Sequence, residues 1–328
     1  MTDSRDHSQG AGPRTASTSG AEPVARFAWL IVGYNVVVIL WGAFVRASAS
    51  GAGCGRHWPL CNGEILPSII QWPTMIEFIH RVTSAFSFVL VSFLVASCWR
   101  RTPKGDWSRY SSLCGLVLVS NEALLGALLV LSNRVGLDRS AAHALFLCLH
   151  FGNTLLLLAA LSLTARWLSN RTRPSVVVAK PRESVAIGLG LVSVMVTGVT
   201  GSLASLGDTL YPVGSLRHAL MQDFSANSHM LLRLRLLHPV AAVTGSLYVF
   251  WLLWNFAGKQ DRSVWTLILA VTLTFQIALG AINVILVAPV WLQMIHLLVA
   301  ELVWILLALA SAELLFADQQ FPSNTLRI

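Results

Sequence analysis

Eight stretches of this chain are each long and apolar enough to cross a bilayer: residues 26–47, 74–99, 108–132, 141–167, 184–206, 228–256, 263–287 and 292–316. A helix needs about 20 residues to cross the hydrocarbon layer. With no water there to satisfy backbone N–H and C=O groups, a continuous helix is the form such segments take. The expected fold class is therefore an all-α integral membrane protein with eight transmembrane helices. Composition agrees: 12% of residues are charged and 55% are hydrophobic, where soluble domains carry roughly 25% charge. A disordered chain is excluded and a soluble enzyme disfavoured. The net charge of +8 does not point to nucleic acid, because the basic residues sit singly or in small clusters between apolar runs. Membrane lipid is the expected surroundings, with no nucleic-acid partner.

Residues 1–25 are polar and rich in Ser, Gly and Ala, without the apolar core of a signal peptide, and are expected to form a disordered cytoplasmic tail. One set of connections carries Arg100, Arg101, Lys104, Arg109, Arg166, Arg171, Arg173, Lys180, Arg182, Lys259 and Arg262. The other set carries only Arg56, Arg134, Arg139 and Arg217. The positive-inside rule puts the first set and both termini in the cytoplasm, as in a bacterial-type inner (plasma) membrane. Two sizeable loops, 48–73 and 207–227, then face outward.

The chain reads as duplicated. Ala123–Leu131 is ALLGALLVL and Ile277–Ile285 is IALGAINVI. Gly42 and Gly51 match Gly198 and Gly207; Gly126 matches Gly280, His80 matches His238, and His150 matches His296. Four spans per half give both halves one orientation, about an axis along the membrane normal. The expected organisation is two pseudo-repeated four-helix bundles, 26–168 and 184–316, joined by a cytoplasmic linker 169–183 and followed by a cytoplasmic tail 317–328.

The chain has nine histidines. His7 falls in the tail, and His57 and His218 in outer loops. His80, His143, His150, His229, His238 and His296 lie in or at the edge of spans, where an imidazole needs a partner. A lone one reads most simply as an interhelical hydrogen bond. The set says more: one histidine stands on the second and one on the fourth helix of each half, all near the outer end. Two histidines on facing helices at one depth suit the two axial faces of haem iron, and a four-helix bundle can house it. Zinc fits less well, since it wants a third or fourth ligand nearby. His143, seven residues before His150, shares its face, so either could serve. His229 reads as an interfacial histidine.

Glu77 lies one turn before His80 on the same face; it is either functional or a first-turn carboxylate at a helix N-terminus. Arg235 occupies the equivalent place in the second half, so the halves are chemically unequal. Arg81, Arg233 and Arg235, at the outer helix ends, are candidate contacts for acidic groups of such a cofactor, with snorkelling as the alternative. Glu122, Asn283 and Glu301 are intramembrane polar groups with no assigned role. Cys98, Cys114 and Cys148 read as structural. Cys54 and Cys61 share the first outer loop, where a disulfide is permitted, either stapling the loop or exchanging electrons.

The stretches WGAFVRASASGAGCGRHWPLCNGE, EFIHR (Glu77 to Arg81), ALLGA, LHFGNT, LLHPV and VWLQMIHLL together resemble the haem A synthase family, over residues 28 to 315. The resemblance implies an oxidoreductase acting on a CH group: a methyl of haem O becomes the formyl of haem A for cytochrome oxidase assembly, with water as the oxygen source. It implies substrate haem between His80 and His150, favouring His150 over His143, and a haem b cofactor between His238 and His296. It implies catalytic Glu77 and the Cys54–Cys61 pair; the second cysteine pair of many members is missing here. A haem O synthase is the expected donor. The electron acceptor and any homo-oligomer stay open. The rival reading is a bis-histidine b-type cytochrome exchanging electrons with quinone, which would favour equivalent halves.

Overall fold

The computed structural model describes residues 21–68, 71–169, 174–177, 180–256 and 264–318. Eight helical segments are long and apolar enough to cross a membrane. In the first half these are α1 (Ala21–Ala47), α2 (Trp72–Arg101), α3 (Trp107–Leu131) and α4 (Ala141–Ser169). A short strand β1 (Pro174–Val177) precedes α5 (Pro181–Leu210). Two short helices, α6 (Leu216–Asp223) and α7 (Met230–Arg235), lead into α8 (Leu237–Phe256), α9 (Val264–Ile285) and α10 (Val290–Leu315). Strand β2 (Phe316–Asp318) pairs antiparallel with β1. This small ladder at the chain's midpoint and end leaves the class all-helical.

Two boundaries differ from expectation. Helix α1 begins at Ala21, inside the stretch 1–25 expected to be disordered, and Glu22 pairs with Arg26 one turn on at 2.6 Å. Residues 1–20 of that tail, residues 170–173 and 178–179 of the expected linker 169–183, and residues 319–328 lie outside the described residues; within that linker the structure has β1 and the first turn of α5, which begins at Pro181. The expected sixth span, 228–256, is interrupted. Leu236 closes a tight turn by donating to Arg233 O at 3.2 Å, and α8 starts afresh at Leu237. Pro239 explains the break: it has no N–H for the carbonyl of Arg235, and its ring crowds that carbonyl.

Helices α1, α2, α3 and α4 pack in a ring, each against its neighbours; α5, α8, α9 and α10 form a second ring. The rings meet along α1 and α4 on one side and α5 and α10 on the other. Lipid tails are as apolar as leucine, so packing and interhelical hydrogen bonds must hold such helices together. Ser87 donates to Asn35 at 2.7 Å between α2 and α1. Asn121 donates to Asn153 at 2.8 Å between α3 and α4. Trp304 Nε1 on α10 donates to Leu155 O on α4 at 2.6 Å.

The largest core cluster ignores the boundary between halves. Ile31, Leu94, Leu158 and Leu161 of the first ring are packed with Trp304 and Ile305 of the second. Trp304 is the residue that both fills this core and bonds across it. Trp304→Ala is expected to destabilise the protein by about 3–5 kcal/mol, and Trp304→Phe, which removes the N–H and the second ring but keeps an aromatic ring in the core, by about 1–3 kcal/mol. Denaturant unfolding in detergent, followed by tryptophan fluorescence, measures both.

Candidate functional site

A cavity of ≈ 1630 Å³ runs through both rings and is bordered by His80, His143, His150, His238 and His296. Ordinary small-molecule pockets hold roughly 300–1,000 Å³, so this space is suited to a large ligand or to more than one.

Glycines make room for the rings. A Cβ at Gly42 on α1 would lie 2.8 Å from His80 Cε1; at Gly201 on α5, 3.0 Å from His238 Cε1; at Gly280 on α9, 3.1 Å from His296 Cε1. Gly126 stands off from His150 Cε1 by 4.0 Å on the same construction. The glycine that serves His238 as Gly42 serves His80 is therefore Gly201. Gly198, which the repeat register pairs with Gly42, meets Phe151 and Leu155 of α4 instead. The helix-to-helix contact moves the match by three residues, nearly one turn.

His238 and His296 face each other across the second ring with centroids 6.4 Å apart and planes 82° apart. His238 Nδ1 is 3.1 Å from Thr197 O, a contact that fixes the proton on Nδ1 and leaves Nε2 a lone pair. His296 Nε2 sits 3.2 Å from Gln276 Nε2. The Nδ1 atoms of His80, His150 and His296 are buried without a hydrogen bond. His150 Nδ1 does lie 2.5 Å from Glu122 Oε2, without the alignment of a hydrogen bond. Glu122 Oε1 in turn accepts from Asn153 and Thr154, each at 2.8 Å. Glu122, to which the sequence assigns no role, thus belongs beside His150; Gln276 stands at the corresponding place beside His296.

His143 borders the cavity but is anchored differently, its Nδ1 2.8 Å from Asp138 O. His229 caps α7, its Nδ1 accepting from Leu231 N at 3.3 Å, and it packs on Tyr211. Glu301 is buried on α10 and also borders the cavity, both its oxygens lacking a hydrogen bond; Asn283 Oδ1 is likewise unpartnered.

Glu77 is buried, at 3% exposure, and ties the first loop to α2. Its Oε2 accepts from Cys54 N at 2.8 Å, and its Oε1 accepts from Arg81 Nε at 3.1 Å. Arg81 Nη1 reaches two carbonyls of the same loop, His57 O at 2.5 Å and Leu60 O at 2.6 Å. The sulfurs of Cys54 and Cys61 are bonded, and both residues are buried. The loop lies hard on the start of α2: a Cβ at Gly53 would come within 2.4 Å of Pro73 O. Trp58, Leu60, Ile65 and Leu66 of this loop edge the cavity.

The three arginines proposed from sequence have different fates. Arg81 borders the cavity but is committed to Glu77 and the loop. Arg235 also borders it, and pairs with Asp208 at 2.8 Å and with Asp223. Arg233 donates to Ala226 O at 2.7 Å and is not among the residues bordering the cavity. Arg46, near the end of α1, does border it and went unnoticed in the sequence, where it reads as an ordinary cation in the last turn of a span.

A family model described as cytochrome oxidase assembly protein (COX15-CtaA) matches residues 25–73 and 68–308. Over 287 residues the chain is 42% identical to the protoheme IX farnesyltransferase of Thermus thermophilus, a match covering 86% of this chain and 47% of that relative. It is 33% identical over 147 residues to the heme A synthase of Bacillus pumilus, covering 44% of this chain and 45% of the relative. With the heme A synthase of Bacillus mycoides it shares 34% identity over 128 residues, 39% of each chain. The chain thus spans about half the length, or less, of these curated relatives.

The Glu77–Arg81 clamp carries an expectation of its own. Glu77→Ala removes the acceptor of Cys54 N–H and frees Arg81, and Arg81→Ala frees the loop carbonyls. Losing charge-assisted bonds of this kind should expose the bridge, speeding its reduction by dithiothreitol about tenfold in either variant. Mass-spectrometric counting of alkylated Cys54 and Cys61 over time measures it.

Proposed function

Because the chain belongs to the COX15-CtaA family of cytochrome oxidase assembly proteins, we propose that it is a haem A synthase: it oxidises a methyl of haem O to the formyl of haem A. The reading rests above all on four histidines, two from each ring of helices, edging one cavity with glycines spaced to admit their rings. A Thermus relative named for farnesylating protohaem IX matches this chain over less than half its own length. The likeness to a relative so named supports a farnesylated haem as the substrate here.

The residues fit haem. Buried imidazole nitrogens without a hydrogen bond are costly in a membrane interior; His80 and His296 each keep one, while His150 Nδ1 has the Glu122 carboxylate 2.5 Å away. His238 and His296, whose ring centroids are 6.4 Å apart across the second ring, would hold the cofactor haem between them. In this reading His80 and His150 hold substrate haem, and His238 and His296 hold haem b. Haem b, when bound, supplies one-electron acceptance and relay.

Conversion of a methyl to a formyl with water as the oxygen source consumes one water and releases four electrons and four protons. The chain's own groups serve that balance. Glu77, on the turn before His80 and fixed by Cys54 N–H and Arg81, takes up a proton or balances positive charge at the substrate. Glu122 and its bonds to Asn153 and Thr154 hold the His150 side. Thr197 O orients His238. The apolar loop residues Trp58, Leu60 and Ile65 at the cavity edge limit water to what the reaction needs. The distribution of basic residues supports a bacterial-type inner membrane with both termini cytoplasmic, so that this loop and α6 lie outside.

Co-expression with a haem O-forming enzyme, followed by pyridine haemochrome spectra and chromatography of extracted haem, tests the reading. Wild type should yield haem A and carry haem b. Glu77→Gln should retain haem but lose most conversion; His80→Ala and His150→Ala should keep haem b but lose substrate haem and conversion, whereas His238→Ala and His296→Ala should lose haem b. Haem b alone in wild type, with no haem O or haem A, would favour the b-type cytochrome; unchanged conversion in Glu77→Gln at full haem content would overturn the role of Glu77.

A further inference from the structure

An acidic ligand in this cavity needs a cation with donors to spare. Among the described residues, three cationic side chains border it: Arg46, Arg81 and Arg235. Arg81 spends its guanidinium on Glu77, His57 O and Leu60 O. Arg235 spends its own on Asp208 and Asp223. Arg46 makes no such bond among the described residues, and its Nη1 is buried without a partner. Asp208, the acid near enough to attract it, gives Oδ1 to Arg235 at 2.8 Å and accepts no hydrogen bond from Arg46 among the described residues. A buried guanidinium nitrogen left without an acceptor is costly, unless the acceptor arrives with the ligand.

The place of Arg46 says which end of the ligand that is. It lies four residues beyond Gly42, one turn along the same face of α1, and Gly42 is the residue that accommodates the His80 ring. A cation at the last turn of a helix also suits the helix dipole, but that alone would leave Nη1 in solvent or on a carbonyl, not buried and unpaired beside a cavity.

We propose that Arg46 binds a carboxylate of the ligand held at His80. Resting on the haem reading above, that carboxylate is a propionate of the substrate porphyrin, and Arg46 sets which edge of the ring points toward the loop end. Arg81 and Arg235 are then structural cations, each neutralised within the protein.

The test uses purified full-length protein with its resident haem in place. It is titrated with iron protoporphyrin IX and, separately, with the dimethyl ester of the same compound, following the Soret band. His80→Ala, which removes the N-terminal site, supplies the reference. Wild type should bind the diacid at least about tenfold more tightly than the diester. Arg46→Gln should weaken diacid binding by about tenfold to a hundredfold, the range of a lost charge-assisted hydrogen bond, and leave diester binding unchanged. Arg46→Lys should fall between. Unchanged diester affinity also reports that each variant is folded. Equal affinity of wild type for the two porphyrins, or equal weakening of both by Arg46→Gln, would overturn the assignment; the second result would mark Arg46 as purely structural. Failure of wild type to bind either porphyrin would overturn the haem reading itself, and this assignment with it.

Discussion

A polar group inside a membrane protein has to find its partner within the protein, because lipid offers none. Most of this molecule obeys that constraint visibly. Asn35 meets Ser87, Asn121 meets Asn153, Trp304 meets a carbonyl of the opposite ring, and Glu77 meets both Arg81 and the backbone of Cys54. Against such regularity the exceptions carry information. Among the described residues, nitrogens without a hydrogen bond on His80, His296 and Arg46 border one cavity, Ser162 and Gln222 being unpaired away from it, so that much of the unmet polar demand lies where a ligand would answer it. Glu301 and Asn283 belong to the same set, without a partner inside the protein to explain them.

The two rings of helices meet this constraint with different chemistry. In the first, a carboxylate stands beside the fourth-helix histidine and another is clamped to a disulfide-closed loop. In the second, Gln276 replaces the first of these, and Arg235 with two aspartates replaces the second. The clearest difference lies beside the fourth-helix histidine, where the first ring has the carboxylate of Glu122 and the second the uncharged amide of Gln276. Carboxylates near a metal-ligating imidazole raise its basicity and favour the oxidised metal.

Much of this was legible in the residues because the bilayer simplifies the code. Length and apolarity alone locate eight crossings, and histidines in apolar runs announce themselves. What stayed hidden depended on direction. Arg46 and Arg81 are both arginines near helix ends; only the packed structure reveals that one is saturated and the other is not. Glu122 was visible but mute until α3 and α4 were placed side by side. The pairing of Gly42 with Gly198 followed from a fixed register, whereas the packed helices place Gly201 on the His238 ring. The break at Leu236 had its cause in plain view, since Pro239 cannot continue an α-helix without losing a bond, but the apolar run around it reads as unbroken.

Trp304 and Ile305 of the last helix complete a core whose other members come chiefly from the first four. Arg166 and Glu313 fasten α4 to α10 at 2.6 Å, and β1 pairs with β2 beyond them. During synthesis the first ring can therefore reach the bilayer early but cannot seal its interior until α10 has emerged from the ribosome. The wall between the two rings is complete only when the last helix is in place. Closure of the cavity is in this way tied to the position of two side chains, Trp304 and Ile305.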